Sequence, residues 1–523
     1  MTRDRLKRIY DLHAWVGVVC GLFVYVVSLS GVLALFGEEL HLWEDPDLRI
    51  ALPEEPVPVM PLMRGFLEEL GPAPALVGLS LRLPRAVHPF YEATARVWDQ
   101  ESRSTEVHWR RWHPASGRLL PDRGEGVAHW LVDLHRHLLL PRSLGRPVVG
   151  LAGLLLLLSV VSGAVIHRKL LSEAFVWRLD RSVRLKWQDS HKAIGLWGLP
   201  FHLMIAFTGA WLGFVALLLP LTAAVSFKGD QGAVIAAVLG TPPQPAGVAS
   251  PMVSLDRARR AVEARTGAPA ELVEIVNWGD AAGRYRFFFP PPAHLKRYAQ
   301  IDVAAADGTL SEPVLGEREG FAHRLLPAMT TLHYGTFGGP WLKLLYSLLG
   351  LALCLVTVTG TMMWLERRLH GNAGGASPTT YRVLSRVTIG VSVGLALASI
   401  AVFYADRLLP VAAGARGGAI GLAFFGVWAA ALGYALVRRN GYRSCKELLA
   451  ATAAACLALP LLDLASGGDA PWAPWAGGRA YALGTNLTAF VVGLVLLLAS
   501  RRLPDRRPQG KRPAAAAAER AAL

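Results

Sequence analysis

Eight long stretches of this chain are apolar and nearly free of charge: about 14–36, 147–167, 194–222, 341–364, 383–405, 417–437, 447–465 and 480–500. A helix needs about 20 such residues to cross the hydrocarbon of a bilayer, where no water is present to satisfy the backbone. The pattern predicts a polytopic α-helical membrane protein of eight transmembrane helices, with the lipid bilayer as its first partner. Composition agrees, since 53% of the 523 residues are hydrophobic, more than soluble domains usually carry.

A formal net charge of +15 raises the question of nucleic acid, which the placement of the charges answers. Arg3, Arg5, Lys7 and Arg8 precede span one; Arg168, Lys169, Arg178, Arg181, Arg184 and Lys186 lie between spans two and three; Arg367, Arg368, Arg382 and Arg386 lie between four and five. Arg438, Arg439, Arg443 and Lys446 separate six and seven, and Arg501, Arg502, Arg506, Arg507, Lys511 and Arg512 follow span eight. Basic residues on alternate loops are the positive-inside signature, so both termini are expected in the cytoplasm, and no nucleic-acid partner is needed. The first apolar run ends in Gly37-Glu38-Glu39 without a small-residue cleavage site and reads as an uncleaved helix. Cys20, Cys354, Cys445 and Cys456 lie in or beside spans, which excludes a disulfide framework, a zinc pattern and covalent haem attachment.

Two long segments, about 38–134 and 226–332, are expected outside, and the sequence around them repeats. Span one opens with Asp11-Leu-His13-Ala-Trp-Val-Gly17 and later carries Ser30-Gly31; span three opens with Asp189-Ser-His191-Lys-Ala-Ile-Gly195 and later carries Thr208-Gly209. Leu134-His135 precedes span two with Ser162-Gly163, and Leu332-His333 precedes span four with Thr359-Gly360. Within the outer segments, helical patterns at Val59–Leu70 and Leu255–Arg265 are each followed by three strand-like runs. These are Leu76–Leu83, Ala95–Trp98 and Glu106–Trp112 in the first, and Leu272–Trp278, Tyr285–Phe289 and Tyr298–Val303 in the second. Each segment closes on a turn, at Gly117 and Gly308, where glycine supplies positive φ. The division is 1–37 (span one), 38–134 (first small α+β domain), 135–225 (spans two and three), 226–332 (second α+β domain), 333–370 (span four), 380–500 (four further spans) and 501–523 (a basic, Ala-rich tail).

These marks, with Leu332-His333-Tyr-Gly-Thr-Phe-Gly-Gly-Pro340 as the most specific, resemble the PepSY-associated transmembrane-helix family over roughly residues 5–370. That group contains iron-regulated membrane proteins and ferric-siderophore reductases. The resemblance implies two PepSY-like outer domains, a bacterial inner-membrane location, and reduction of a ferric siderophore or similar iron chelate on the periplasmic side. Residues 380–500 fall outside its four-helix pattern.

Of the fifteen histidines, none lies between 380 and 500. Haem iron in a membrane bundle is commonly clasped by imidazoles from two helices, so His13 with His191 and His135 with His333 are the expected ligand pairs of two b-type haems. His137 competes with His135, and His202, eleven residues beyond His191, is an alternative ligand or a proton relay. His129 and His167 read as interface residues. Gly17, Gly21, Gly31, Gly195, Gly198, Gly209, Gly350 and Gly360 suit either a flat macrocycle or ordinary helix packing. Trp109, Arg110, Arg111 and Trp112 are either contacts for an iron chelate or the alternating faces of a strand.

No nucleotide, flavin or hydrolytic motif appears, so electrons are expected from a separate cytoplasmic flavoprotein or a membrane quinol. A haem b-dependent ferric-siderophore reductase is the leading expectation. A haem-free iron-chelate transporter or permease, and a PepSY-type regulatory membrane protein, are the alternatives.

Overall fold

The computed structural model describes residues 2–71, 75–167, 183–239, 243–289, 299–311, 321–370, 377–409 and 412–506. Arg168, Lys169, Arg178, Arg181, Tyr298, Arg507 and the Ala-rich tail lie outside the described residues. The helices are α1 (Arg3–Ala34), α2 (Gly37–Glu44), α3 (Met60–Glu69), α4 (Val127–His137), α5 (Arg142–Ile166), α6 (Val183–Trp197), α7 (Leu199–Ser226) and α8 (Gln231–Leu239). They continue as α9 (Leu255–Thr266), α10 (Phe321–Tyr334), α11 (Gly339–His370), α12 (Pro378–Leu408), α13 (Arg416–Val437), α14 (Gly441–Ala465) and α15 (Gly477–Arg502). Among the described residues eight helices are long and apolar enough to cross a membrane, namely α1, α5, α7 and α11 to α15. They fall where the eight apolar runs were expected.

The first four spans form one bundle. Spans α5 and α7 touch backbone to backbone: a Cβ added at Gly153 would sit 2.6 Å from Ala210 N, and Gly213 lies against Gly150. Small residues permit such close approach, which supplies packing where lipid removes the hydrophobic drive. Three of the histidine-bearing segments are short helices leading into spans rather than the first turns of those spans. His135 lies on α4, separated from α5 by Leu138 and Leu139, both with positive φ. His333 lies on α10, separated from α11 by Gly335 and Gly339 with φ of +62° and +65°. His191 lies on α6, which breaks from α7 at Gly198 just before Pro200, a residue with no N–H to donate back into the preceding turn. Only His13 sits inside a continuous span.

The two outer segments share one six-stranded antiparallel sheet of β1 (Leu76–Arg82), β2 (Tyr91–Asp99), β3 (Ser104–Trp112), β4 (Leu272–Val276), β5 (Arg284–Phe289) and β6 (Ala299–Ala304). The order is β3-β2-β1-β4-β5-β6, with β1 and β4 paired through Ser80 to Glu274, Leu81 to Val273 and Arg82 to Leu272. Read from either edge the order repeats itself, so the sheet carries a pseudo-twofold axis between β1 and β4. One face is covered by α3 and α9, where Met63, Phe66, Leu81, Val262, Val273 and Phe287 are fully buried. Burial of each such side chain contributes roughly 1.5–3 kcal/mol. Gly117 and Gly308 close the two halves with positive φ, as the turn pattern required.

The last four spans pack on α11 through α12 and reach the sheet end of the bundle through α15, which lies against α2. A buried ionic cluster marks that junction. Asp463, with no exposed surface, accepts from Arg407 at 2.7 Å and from Asn486 Nδ2 at 2.7 Å, with Arg49 4.0 Å away. Trp43 of α2 donates its indole N–H to Asn486 Oδ1 at 2.8 Å and receives the Arg407 guanidinium 4.2 Å over its ring. The histidine-free half thus holds α2 in place.

Candidate functional site

The duplicated histidines meet across the repeat. His13 faces His191 with ring centroids 6.2 Å apart and planes at 65°, at the end of the bundle away from the sheet. His135 faces His333 at 6.1 Å with planes at 17°, on the sheet side. Val27, whose carbonyl holds His135, is fourteen residues along α1 from His13, which puts about 21 Å of helix between the two levels.

Hydrogen bonds behind the rings fix their tautomers. His135 Nδ1 lies 3.0 Å from Val27 O, and His191 Nδ1 lies 2.9 Å from Val356 O. A carbonyl only accepts, so both Nδ1 atoms carry the proton. His13 Nδ1 is 3.0 Å from Ser159 O and 3.1 Å from Ser162 Oγ, whose own proton goes to Leu158 O. His333 Nδ1 is 2.9 Å from Thr208 Oγ1, and that hydroxyl donates to Met204 O at 2.8 Å, leaving its oxygen to accept. All four Nε2 atoms are therefore lone-pair donors, the state in which imidazole binds a metal.

The four Ser/Thr-Gly motifs explain themselves here. A Cβ added at Gly31 would stand 2.8 Å from the His135 ring, one at Gly163 3.1 Å from His13, one at Gly209 3.2 Å from His333 and one at Gly360 3.0 Å from His191. Each glycine makes room for one imidazole. At three of the four, the residue before the glycine (Ser162, Thr208, Thr359) also approaches that ring's Nδ1. The expected role of Gly31, Gly209 and Gly360, to admit a macrocycle or pack helices, becomes a sharper one. Gly17 and Gly195, one turn beyond His13 and His191, meet nothing within 4 Å and leave open space beside the rings.

The remaining candidates separate cleanly. His137 turns to Asp133, with Nε2 3.1 Å from Oδ1, and does not face His333. His202 is 2% exposed, with its Nε2 lacking a hydrogen-bond partner, and packs into the space left by Gly198. It stands between the two levels without a facing imidazole among the described residues. His167 caps α5, its N–H donating to Gly163 O at 3.3 Å.

The sheet-side pair opens into a cavity of about 1200 Å³ whose roof is the free face of the sheet. Trp109 and Arg111 line it, whereas Arg110 pairs with Glu69 and Trp112 joins the core under α3, so strand alternation divides the four expected contacts in half. Arg136, Arg142 and Arg146 also line it and form no ion pair among the described residues. His41, His88 and His129 surround its upper part. Burial, then the Arg82, Arg85 and Arg111 guanidiniums, hold His88 well below its ordinary pKa and keep it neutral. Burial opposes charge on Glu44, yet its hydrogen bonds from His41 and the Ala128 N–H, together with Arg416, keep the carboxyl below its ordinary value. The sequence offered one sign of this cluster: Glu44 follows His41 by three residues, one turn of a helix.

Comparison with known proteins gives the family. A relative from Pseudomonas aeruginosa, itself described as an uncharacterized protein, is 34% identical over 389 residues, covering 70% of this chain and 92% of its own length. The family model for the PepSY-associated TM region matches residues 10–367, which take in both histidine pairs, the shared sheet and the first four spans. The chain is a multi-pass membrane protein that belongs to the family of the PepSY-associated TM region.

Proposed function

We propose that the chain is a haem-containing transmembrane electron conduit that reduces a ferric siderophore or similar iron chelate on its sheet side. The observation that carries this reading is the separation within each histidine pair. Two metal–nitrogen bonds of about 2.0 Å and two ring radii of about 1.2 Å sum to about 6.4 Å between centroids for imidazoles in line across one iron. The pairs stand at 6.2 and 6.1 Å. His13 with His191 would hold one haem b and His135 with His333 the other. Bound haem supplies reversible one-electron transfer.

The chain's own groups do the rest. Four protonated Nδ1 atoms leave four Nε2 lone pairs free to hold iron, and four glycines let each ring stand close to its neighbouring helix. Basic flanks support a reading with the termini in the cytoplasm of a bacterial inner membrane and the sheet in the periplasm. A cytoplasmic flavoprotein or a membrane quinol would give electrons at His13/His191. A chelate in the sheet-side cavity would accept one at His135/His333, and Fe(III) reduced to Fe(II) is held more weakly by hard oxygen donors. Arg136, Arg142 and Arg146, without carboxylate partners among the described residues, suit an acidic ligand there.

A reduced-minus-oxidised spectrum of the detergent-purified chain, with pyridine-haemochrome stoichiometry, tests the proposal. Two b haems per chain are expected, with His191→Ala and His333→Ala each removing one. A colourless chain from haem-replete cells would sink it and favour a transporter or a regulator.

A further inference from the structure

The cavity holds a second imidazole cluster that the two facing pairs do not use. His41 of α2 and His129 of α4 stand with ring centroids 6.0 Å apart and planes at 81°. His41 Nδ1 is 2.7 Å from Glu44 Oε1, so it carries the proton, and its Nε2 has no hydrogen-bond partner. The other oxygen of Glu44 accepts from Ala128 N at 2.9 Å, which ties His41 to the helix that bears His129. His88 adds a third ring, 3.9 Å from Phe90 with the planes tilted at 44°, its Nε2 also lacking a partner. Phe90 is the ring that His41 meets at 6.3 Å.

We infer that His41 and His129 form a landing site for a divalent transition-metal ion, and that its cargo is the ferrous ion released in the same cavity. Two imidazoles on one ion place their centroids about 5 Å apart at a tetrahedral angle and about 6.4 Å apart in line. The observed separation falls between. A carboxylate behind a ligating histidine fixes its tautomer and raises its basicity, which is the place Glu44 takes behind His41. Among the described residues no three metal-ligating side chains converge, so the described residues supply two ligands and leave positions for water or chelate oxygens. Such a site exchanges its ion, as a transfer point must. The chemistry gives direction: hard oxygens hold Fe(III), one electron from the sheet-side centre makes it Fe(II), and imidazole nitrogen suits Fe(II). The cargo rests on the electron-conduit reading; the ion site does not.

Equilibrium dialysis of the purified full chain against Zn²⁺, a redox-inert probe of the same charge, tests the site, with haem content read on each sample. The wild type is expected to bind one ion more than His129→Ala, a change at an exposed position, and Glu44→Gln to weaken that ion by about tenfold. Equal Zn²⁺ binding by wild type and His129→Ala overturns the site, whatever the haem content. A colourless chain that still loses one ion on His129→Ala supports the site and overturns the electron conduit. Anaerobic Fe²⁺ competing for the same ion supports the ferrous cargo, and failure to compete overturns it.

Discussion

The two histidine pairs share their chemistry but not their surroundings. His13 sits inside a continuous span and His191 on the helix just before one, with ring planes at 65°. His135 and His333 ride on short helices joined to their spans by left-handed residues, stand nearly parallel at 17°, and open into the cavity under the sheet. Repetition has thus set one pair within the bundle and the other against the cavity under the sheet. The difference lies in the connections and in the Nδ1 acceptors, a carbonyl with a hydroxyl behind His13 and His191 but one or the other alone behind His135 and His333, since the glycines are alike.

The largest expected contrast is spectroscopic. Parallel axial imidazoles give oxidised low-spin haem a rhombic electron paramagnetic resonance signal, and steeply crossed ones a more anisotropic signal. His333→Ala is expected to remove the rhombic signal and His191→Ala the anisotropic one; a single signal type in the wild type would erase the distinction. Next in size is the link between the histidine-free half and the sheet-side site. Asp463→Ala leaves Arg407 and Asn486 without their shared acceptor. Breaking a buried pair of this kind costs about 3–5 kcal/mol, read as a lower melting temperature in detergent, with the sheet-side haem lost before the other. Equal loss from both centres would show that the last four spans support the whole bundle.

A smaller effect is expected at the glycines. The Cβ of Gly31→Ala would meet His135 at 2.8 Å, against 3.1 Å for Gly163→Ala and His13. Haem occupancy is therefore expected to fall more at the sheet-side site, measured by pyridine haemochrome. The smallest effect concerns the Nδ1 acceptors. Thr208→Val removes the hydroxyl that holds His333, whereas Thr359→Val leaves Val356 O on His191. Loss of such a partner costs about tenfold in affinity, so Thr208→Val is expected to release haem in a dilution assay and Thr359→Val to resemble the wild type.

Much of this fold was legible because each signal was local. A run of twenty apolar residues announces a span whatever surrounds it, and a repeated His-x-x-x-Gly fixes its own register. The facing of His13 with His191 and of His135 with His333 followed from the repeat plus alternating topology. What escaped depends on contacts across the chain. The four Ser/Thr-Gly motifs were visible as motifs, but that Gly163 receives His13 requires knowing which helices touch. The joining of β1 to β4 spans nearly two hundred residues, and a strand edge carries no mark of its partner. His41 falls outside the repeat, and nothing in the sequence marks His129, eighty-eight residues away, as the ring it meets. The role of residues 380–500 came from Asp463, Arg407, Asn486 and Trp43, four residues that nothing in the sequence groups together.

The palindromic sheet has a consequence for ancestry. Each repeat supplies its own glycine pockets, Gly163 for His13 and Gly31 for His135 in the first, Gly360 for His191 and Gly209 for His333 in the second. Each facing pair, however, takes one imidazole from each repeat. A forebear with a single copy would have completed neither centre alone and both at once as a symmetric dimer, its two three-stranded halves joined along β1. Fusion of two such copies would free each half to drift separately, and would let the fifth to eighth spans settle against one flank that a true twofold would have duplicated.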